Sequence, residues 1–215
     1  KIILSKPTFA MYDVYGKAFD ANIFYVDYIV NTKGQIELNL KKLFTLLKKK
    51  PKLFCLPNPD SPTGSIMDEK TLIKILKICK KIGCYVLIDE AYHLFYKSSQ
   101  INKINLYKNL IITKSFSKAF GLAGIRAGCL IANKNTILFF KSFKQMYELN
   151  HYSSAILNEI FTKKGMKVVN NSVKLLNDGK KYFINELKKM NLEYILSYGN
   201  FVHVDLGENK NKIIN

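Results

Sequence analysis

The sequence predicts an α/β protein: an α/β/α sandwich around a largely parallel sheet, followed by part of a smaller α+β C-terminal unit. Three observations carry this. Short apolar runs alternate with helical stretches between residues 22 and 131. Those runs are continuous rather than alternating, as in Tyr85-Val86-Leu87-Ile88, which marks strands covered on both faces. From Asn135 onward the pattern turns helical and closes with two short strand-like segments.

The elements follow in order. Asn22 to Val26 reads as a strand. Leu38 to Lys48 reads as a helix, with Leu40, Leu43, Phe44 and Leu47 on one face. A strand from Lys52 to Leu56 is cut off by Pro57 and the turn-forming run Asn58 to Gly64. Asp68 is a good N-cap for a helix reaching Ile82, with the stripe Leu72, Ile75, Leu76, Cys79 and Ile82, and Gly83 ends it. Strands are expected at Tyr85 to Asp89, Leu110 to Thr113 and Gly128 to Ile131. Helices are expected at Thr136 to Tyr147, Ser153 to Thr162 and Lys167 to Met190, then strands at Leu192 to Ser197 and Phe201 to Asp205. The polar run Glu208 to Asn215 is expected to fray. A large first domain is expected over 1–148 and an incomplete second one over 149–215.

Composition narrows the function classes. A chain of 215 residues with 48% hydrophobic content has ample core for one ordinary domain or one domain and part of another. It has no uncharged apolar run long enough for a membrane span, and its opening residues carry no secretory-signal pattern. Cys55, Cys79, Cys84 and Cys129 form no CxxC pair and read as reduced thiols, which points to a cytoplasmic protein. His93, His151 and His203 lie far apart, so no metal site is expected. The net charge of +18 raises nucleic-acid binding as an alternative. Against it, the lysines are scattered and Arg126 is the single arginine, so no nucleic-acid or membrane partner is expected.

The most informative stretch runs from Ser115 to Gly128, Ser-Phe-Ser-Lys-Ala-Phe-Gly-Leu-Ala-Gly-Ile-Arg-Ala-Gly. The amine of Lys118 is suited to a Schiff base with a carbonyl. The hydroxyls of Ser115 and Ser117 and the guanidinium of Arg126 suit phosphate oxygens. The glycines let backbone approach a ligand. A phosphorylated aldehyde, pyridoxal 5'-phosphate, needs that combination.

Other residues point the same way. Asp89 ends a buried strand, where a carboxylate is costly unless paired, and a protonated pyridine nitrogen is a natural partner. Tyr92, three residues on, has a phenol suited to the cofactor's ring oxygen. The ring of Phe9, in Pro7-Thr8-Phe9, can stack on a planar group. In open α/β sheets ligands bind beyond the carboxyl ends of the strands, and these polar residues are expected there.

Taken in order, these segments resemble the class I/II pyridoxal phosphate aminotransferases of fold type I, in particular the histidinol-phosphate aminotransferase-like members. The resemblance covers essentially the whole chain. Its most specific part is Ser115 to Gly128, supported by Asp89-Glu90-Ala91-Tyr92 and Pro62-Thr63-Gly64. It implies that Lys118 carries the Schiff base and shuttles the proton. It implies that Asp89 pairs with the pyridinium nitrogen and Tyr92 bonds the ring oxygen. Ser115, Ser117 and Arg126 then hold the phosphate, and Phe9 stacks on the ring. The family places asparagine directly before Pro-Thr-Gly; this chain has Ser61, a shorter donor for the same contact. The resemblance also implies an upstream phosphate-binding loop and a late substrate-binding arginine, so the sequence is expected to be the central part of a longer protein. The expected reaction is transamination between an amino acid donor and a keto acid or phosphorylated carbonyl acceptor, in a homodimer when intact. The alternatives are decarboxylation of a phosphorylated amino acid on the same scaffold, and a non-catalytic fragment.

Overall fold

The computed structural model describes residues 1–32, 34–96, 99–143 and 146–207. A seven-stranded sheet forms its centre, in the order β3-β2-β1-β4-β5-β6-β7. The five inner strands are β1 (Ile2–Lys6), β2 (Ile23–Val30), β4 (Leu53–Pro57), β5 (Tyr85–Asp89) and β6 (Leu110–Ser115). They run parallel, while β3 (Ile36–Leu38) and β7 (Gly128–Ala132) close the edges antiparallel. Parallel pairing puts the carboxyl ends of β1, β4, β5 and β6 on one rim of the sheet, and the loops leaving those ends meet there.

Helices cover the sheet: α1 (Ala10–Ala18), α2 (Leu40–Leu47), α3 (Glu69–Lys81), the single turn α4 (His93–Tyr96) and α5 (Lys134–Lys141). Side-chain caps fix where several begin. Asn39 accepts from the Lys42 amide to start α2, Asp68 from the Thr71 amide to start α3, and Asn133 from Asn135 and Thr136 to start α5. The faces they bury meet the strands in one core containing Leu43, Leu47, Leu72, Ile75, Leu76 and Cys79 from helices and Ile3, Val26, Phe54, Val86, Ile88 and Ile112 from the sheet. Helices α6 (His151–Ile160) and α7 (Lys163–Lys189) follow, with a two-stranded pair, β8 (Tyr194–Ile195) and β9 (His203–Val204).

Several elements differ from expectation. Strand β1 and helix α1 were not anticipated. Leu38 belongs to β3 rather than to α2, because Asn39 caps the helix immediately after it. The helix expected to reach Tyr147 ends at Lys141. Its apolar residues Phe143, Met146 and Tyr147 are exposed, so no packed face extends it. Helix α7 starts four residues early, where Thr162 accepts from the Gly165 amide. The two late strands pair over only two residues each. The expectation for residues 208–215 lies outside the described residues.

Candidate active site

The rim is built strand by strand. Beyond β1, Pro7 and Thr8 lead to Phe9, the N-cap of α1, whose ring is 53% exposed. One helical turn later Tyr12 points at the end of β5: its hydroxyl donates to Asp89 Oδ2 at 2.8 Å. The second oxygen of Asp89 accepts from the Ala91 amide at 3.0 Å. Burial is the main cause that pushes the Asp89 carboxyl above the carboxylate range, and these two donors pull it back. Burial, then the Asp89 charge, pushes the Tyr12 phenol far up, so it remains a neutral donor.

The loop after β4 closes over the same end. The Asn58 amide donates to the Asp89 carbonyl at 2.8 Å, and the Asn58 side chain accepts from the Met67 amide. Asp60 is buried and accepts from both the amide and the hydroxyl of Thr63. Gly64 has a positive φ of 72°, and a Cβ there would meet Ser197 at 2.4 Å. Only glycine admits the C-terminal segment so close, where the Tyr198 amide donates to the Gly64 carbonyl. Ser61 makes no hydrogen bond among the described residues and stands half-buried in this loop.

The loop after β6 carries Lys118. Phe116 and Ala119 are buried, and Phe116 packs edge-on against Phe120 and Phe161. Ala119 joins Phe95, Val169 and Val173 in a second apolar cluster. These anchors leave Lys118 exposed, with its ammonium 5.4 Å from the centre of the Tyr92 ring. The Phe116 amide bonds the Ala127 carbonyl, closing the loop and holding Arg126 beside its entrance. Arg126 adopts a left-handed conformation (φ 51°), and its guanidinium donates only to the Ala123 carbonyl among the described residues. The Ser115 hydroxyl accepts from the Ser117 amide at 3.1 Å.

All eight residues singled out from the sequence therefore lie on the carboxyl-end rim or in the loops leaving it. Direct contacts join Lys118 with Tyr92 and Ser115 with Ser117. Phe9 reaches Asp89 through Tyr12, with the Phe9 and Tyr12 rings edge-on at 6.4 Å. Ser61 makes no hydrogen bond to any of the other seven among the described residues. Two contributors escaped sequence reasoning. Tyr12 lies 77 residues from Asp89, and its one sequence signal is a position three after Phe9, on the same helical turn. Glu90 is 1% exposed and pairs with Lys114 at 2.6 Å, with Ser99 and the Gln100 amide donating to the same carboxylate. Its charge in an apolar strand end was the available signal.

The arrangement can hold a planar, electron-poor, anionic group. Among the described residues the titratable groups coupled to Asp89 are Tyr12, Cys55, Asp60 and Glu90, and none of them carries positive charge. The carboxylate is thus oriented but lacks a cation, which a protonated heterocycle supplies. Lys118 has no ion pair and Arg126 no carboxylate partner among the described residues, leaving one amine and one guanidinium for an aldehyde and a phosphate.

The whole chain, residues 1–215, matches the family model for aminotransferase class I and II. It belongs to that family. Among curated relatives it is similar to a histidinol-phosphate aminotransferase of Caldanaerobacter subterraneus subsp. tengcongensis, with 34% identity over 94% of this chain and 55% of that protein. The chain thus spans about half the length of such relatives. Among solved structures it superposes on the histidinol-phosphate aminotransferase of Clostridium acetobutylicum with a TM-score of 0.83 at 22% identity, covering 96% of this chain and 62% of that one. The Sinorhizobium meliloti histidinol-phosphate aminotransferase in complex with pyridoxal-5'-phosphate superposes at 0.81 with 20% identity, over 97% and 56% of the two chains. The fold is therefore that of the pyridoxal phosphate-dependent aminotransferases.

Proposed function

We propose that this chain forms the cofactor-binding part of a pyridoxal 5'-phosphate-dependent aminotransferase, with Lys118 as its catalytic amine. The observation that carries the reading is the shared rim: an oriented, cation-lacking carboxylate at the end of β5 and an exposed lysine amine leaving the adjacent parallel strand β6, with Tyr92 between them in sequence and against the lysine in space. The cofactor supplies an electron sink that stabilises negative charge at the substrate carbon. Lys118 anchors the aldehyde and moves a proton at its Nζ. Asp89 holds the ring nitrogen protonated, and Tyr92 donates to the ring oxygen. Ser115, Ser117 and Arg126 bind the phosphate, Phe9 covers one ring face, and Ser61 takes the place of a ring-oxygen donor at longer reach.

The family supports an amino acid donor and a carbonyl acceptor, and the names of the relatives favour a phosphorylated acceptor. Residues 1–148 form the large domain in this reading, residues 149–215 begin the second, and the intact protein is a cytoplasmic homodimer without nucleic-acid or membrane partners. Among the described residues no helix is long and apolar enough to cross a membrane.

The test is absorbance and product analysis of the full-length protein with added cofactor. A visible band, bleached by borohydride and lost in Lys118→Ala, is expected. Keto acid should form from glutamate when a phosphorylated carbonyl acceptor is present. Carbon dioxide release from a phosphorylated amino acid instead would identify the decarboxylase, and a colourless protein would overturn the whole reading.

A further inference from the structure

We infer that Tyr12 is a positioning residue for the ring-nitrogen carboxylate, a role that rests on the cofactor reading above and assigns it a further part. The geometry is specific. Tyr12 sits in the first turn of α1, after β1, and reaches across the carboxyl rim past β4 to Asp89 on β5. Its phenol donates to Oδ2 at 2.8 Å while the Ala91 amide donates to Oδ1 at 3.0 Å. With one donor on each oxygen, the carboxylate can neither rotate nor swap oxygens, and each oxygen keeps a lone pair for a further donor. The Ala91 contact comes from two residues away and follows the local turn; the Tyr12 contact ties the Asp89 carboxylate to a distant helix, beside the Thr113 hydroxyl of the neighbouring strand β6.

The donor's chemistry matters as much as its position. A neutral donor stabilises the ionised carboxylate without competing with an incoming cation for charge. The other titratable groups around Asp89 are Cys55 from β4, Asp60 from the following loop and Glu90 on its own strand end. Removing the phenol takes away the largest of the contacts that favour the ionised form and leaves the Ala91 amide and the Thr113 hydroxyl alone against burial and the Glu90 charge, so the basicity of Asp89 rises and the shared proton moves from the ring nitrogen towards the carboxylate. The same helical turn holds Phe9 edge-on to Tyr12, so the ring-covering residue and the carboxylate are set by one rigid segment.

The experiment uses the full-length protein with Tyr12→Phe, which removes one oxygen and keeps the ring. Expected are cofactor affinity weaker by about tenfold, as for loss of a hydrogen bond to a charged group, and a shifted pH profile of the bound cofactor's visible absorption. The kcat should fall about tenfold with the donor KM little changed, because the contact acts on the reacting ring rather than on substrate binding. Tyr25→Phe is the control, since Tyr25 also donates to an aspartate, Asp13 on the same helix, without a hydrogen bond to Asp89, and it should leave the titration unchanged. A second variant pair completes a cycle: in Asp89→Asn, adding Tyr12→Phe should change cofactor affinity far less than it does in the wild type. If Tyr12→Phe binds cofactor and titrates like the wild type, or if the two substitutions are additive, the inference is overturned while the aminotransferase reading stands. A wild-type protein that binds no cofactor overturns both.

Discussion

At the residue scale, two buried carboxylates near the rim have opposite situations. Glu90 is fully compensated by Lys114, Ser99 and the Gln100 amide, and it ties the end of β5 to β6. Glu90→Gln leaves the Lys114 ammonium, only 14% exposed, without its counter-charge. Breaking such a pair is expected to cost about 3 kcal/mol of stability, measured by urea unfolding. Asp60 is under-compensated: Oδ2 accepts from Thr63, but Oδ1 is buried with no partner among the described residues. Burial raises its carboxyl above the ordinary 3.8. The folded state then holds the proton more tightly than the unfolded chain does. Stability is therefore lost as pH rises from 3.8 through the raised folded value. Asp60→Asn keeps an acceptor for Thr63 and removes the buried charge. It is expected to gain about 1 kcal/mol at neutral pH and nothing below the ordinary carboxylate range. Unfolding curves at the two pH values check this, and an equal effect at both would contradict it.

At the element scale, the loop bearing Lys118 is held from below by α7. Val169 and Val173 pack with Ala119 and Phe95, so a long helix late in the chain fixes the Lys118 loop more than forty residues earlier. Val173→Ala opens a cavity under that loop and is expected to cost about 2 kcal/mol, with weaker cofactor binding as the loop loosens. Thermal unfolding and a cofactor titration measure both, and a stability loss without any binding change would separate α7 from the site. Elements like these also show what a sequence discloses. Strands β4, β5 and β6 were legible because their apolar runs are uninterrupted, and α3 because Asp68 caps a clean stripe. Strand β1 was not, since Lys1 and Lys6 flank a short run with Ser5 inside it, and α1 exposes Val14 and Tyr15 and buries little beyond Gly16. Strand β3 is three residues long and pairs only with β2. The candidate site residues Asp89, Tyr92, Ser115, Ser117, Lys118 and Arg126 could be singled out because they sit in compact local motifs. Tyr12 was not, because its contact exists only once strand order brings β1 within reach of β5.

At the scale of the whole molecule, the +18 charge does not organise the fold. Its ion pairs are mostly exposed, as in Lys17–Asp13, Lys42–Asp27 and Lys174–Asp178, where each contributes little. What organises the fold is the parallel sheet, which gathers the loops after β1, β4, β5 and β6 on one rim and so assembles a site from segments more than a hundred residues apart. A single amine in a lysine-rich chain must be the one that meets the cofactor. The measurement that tests this most directly is borohydride reduction of the cofactor-loaded full-length protein, followed by proteolysis and peptide mass spectrometry. The reduced phosphopyridoxyl group is expected on Lys118 and nowhere else. Its appearance on another lysine, or on none, would contradict it.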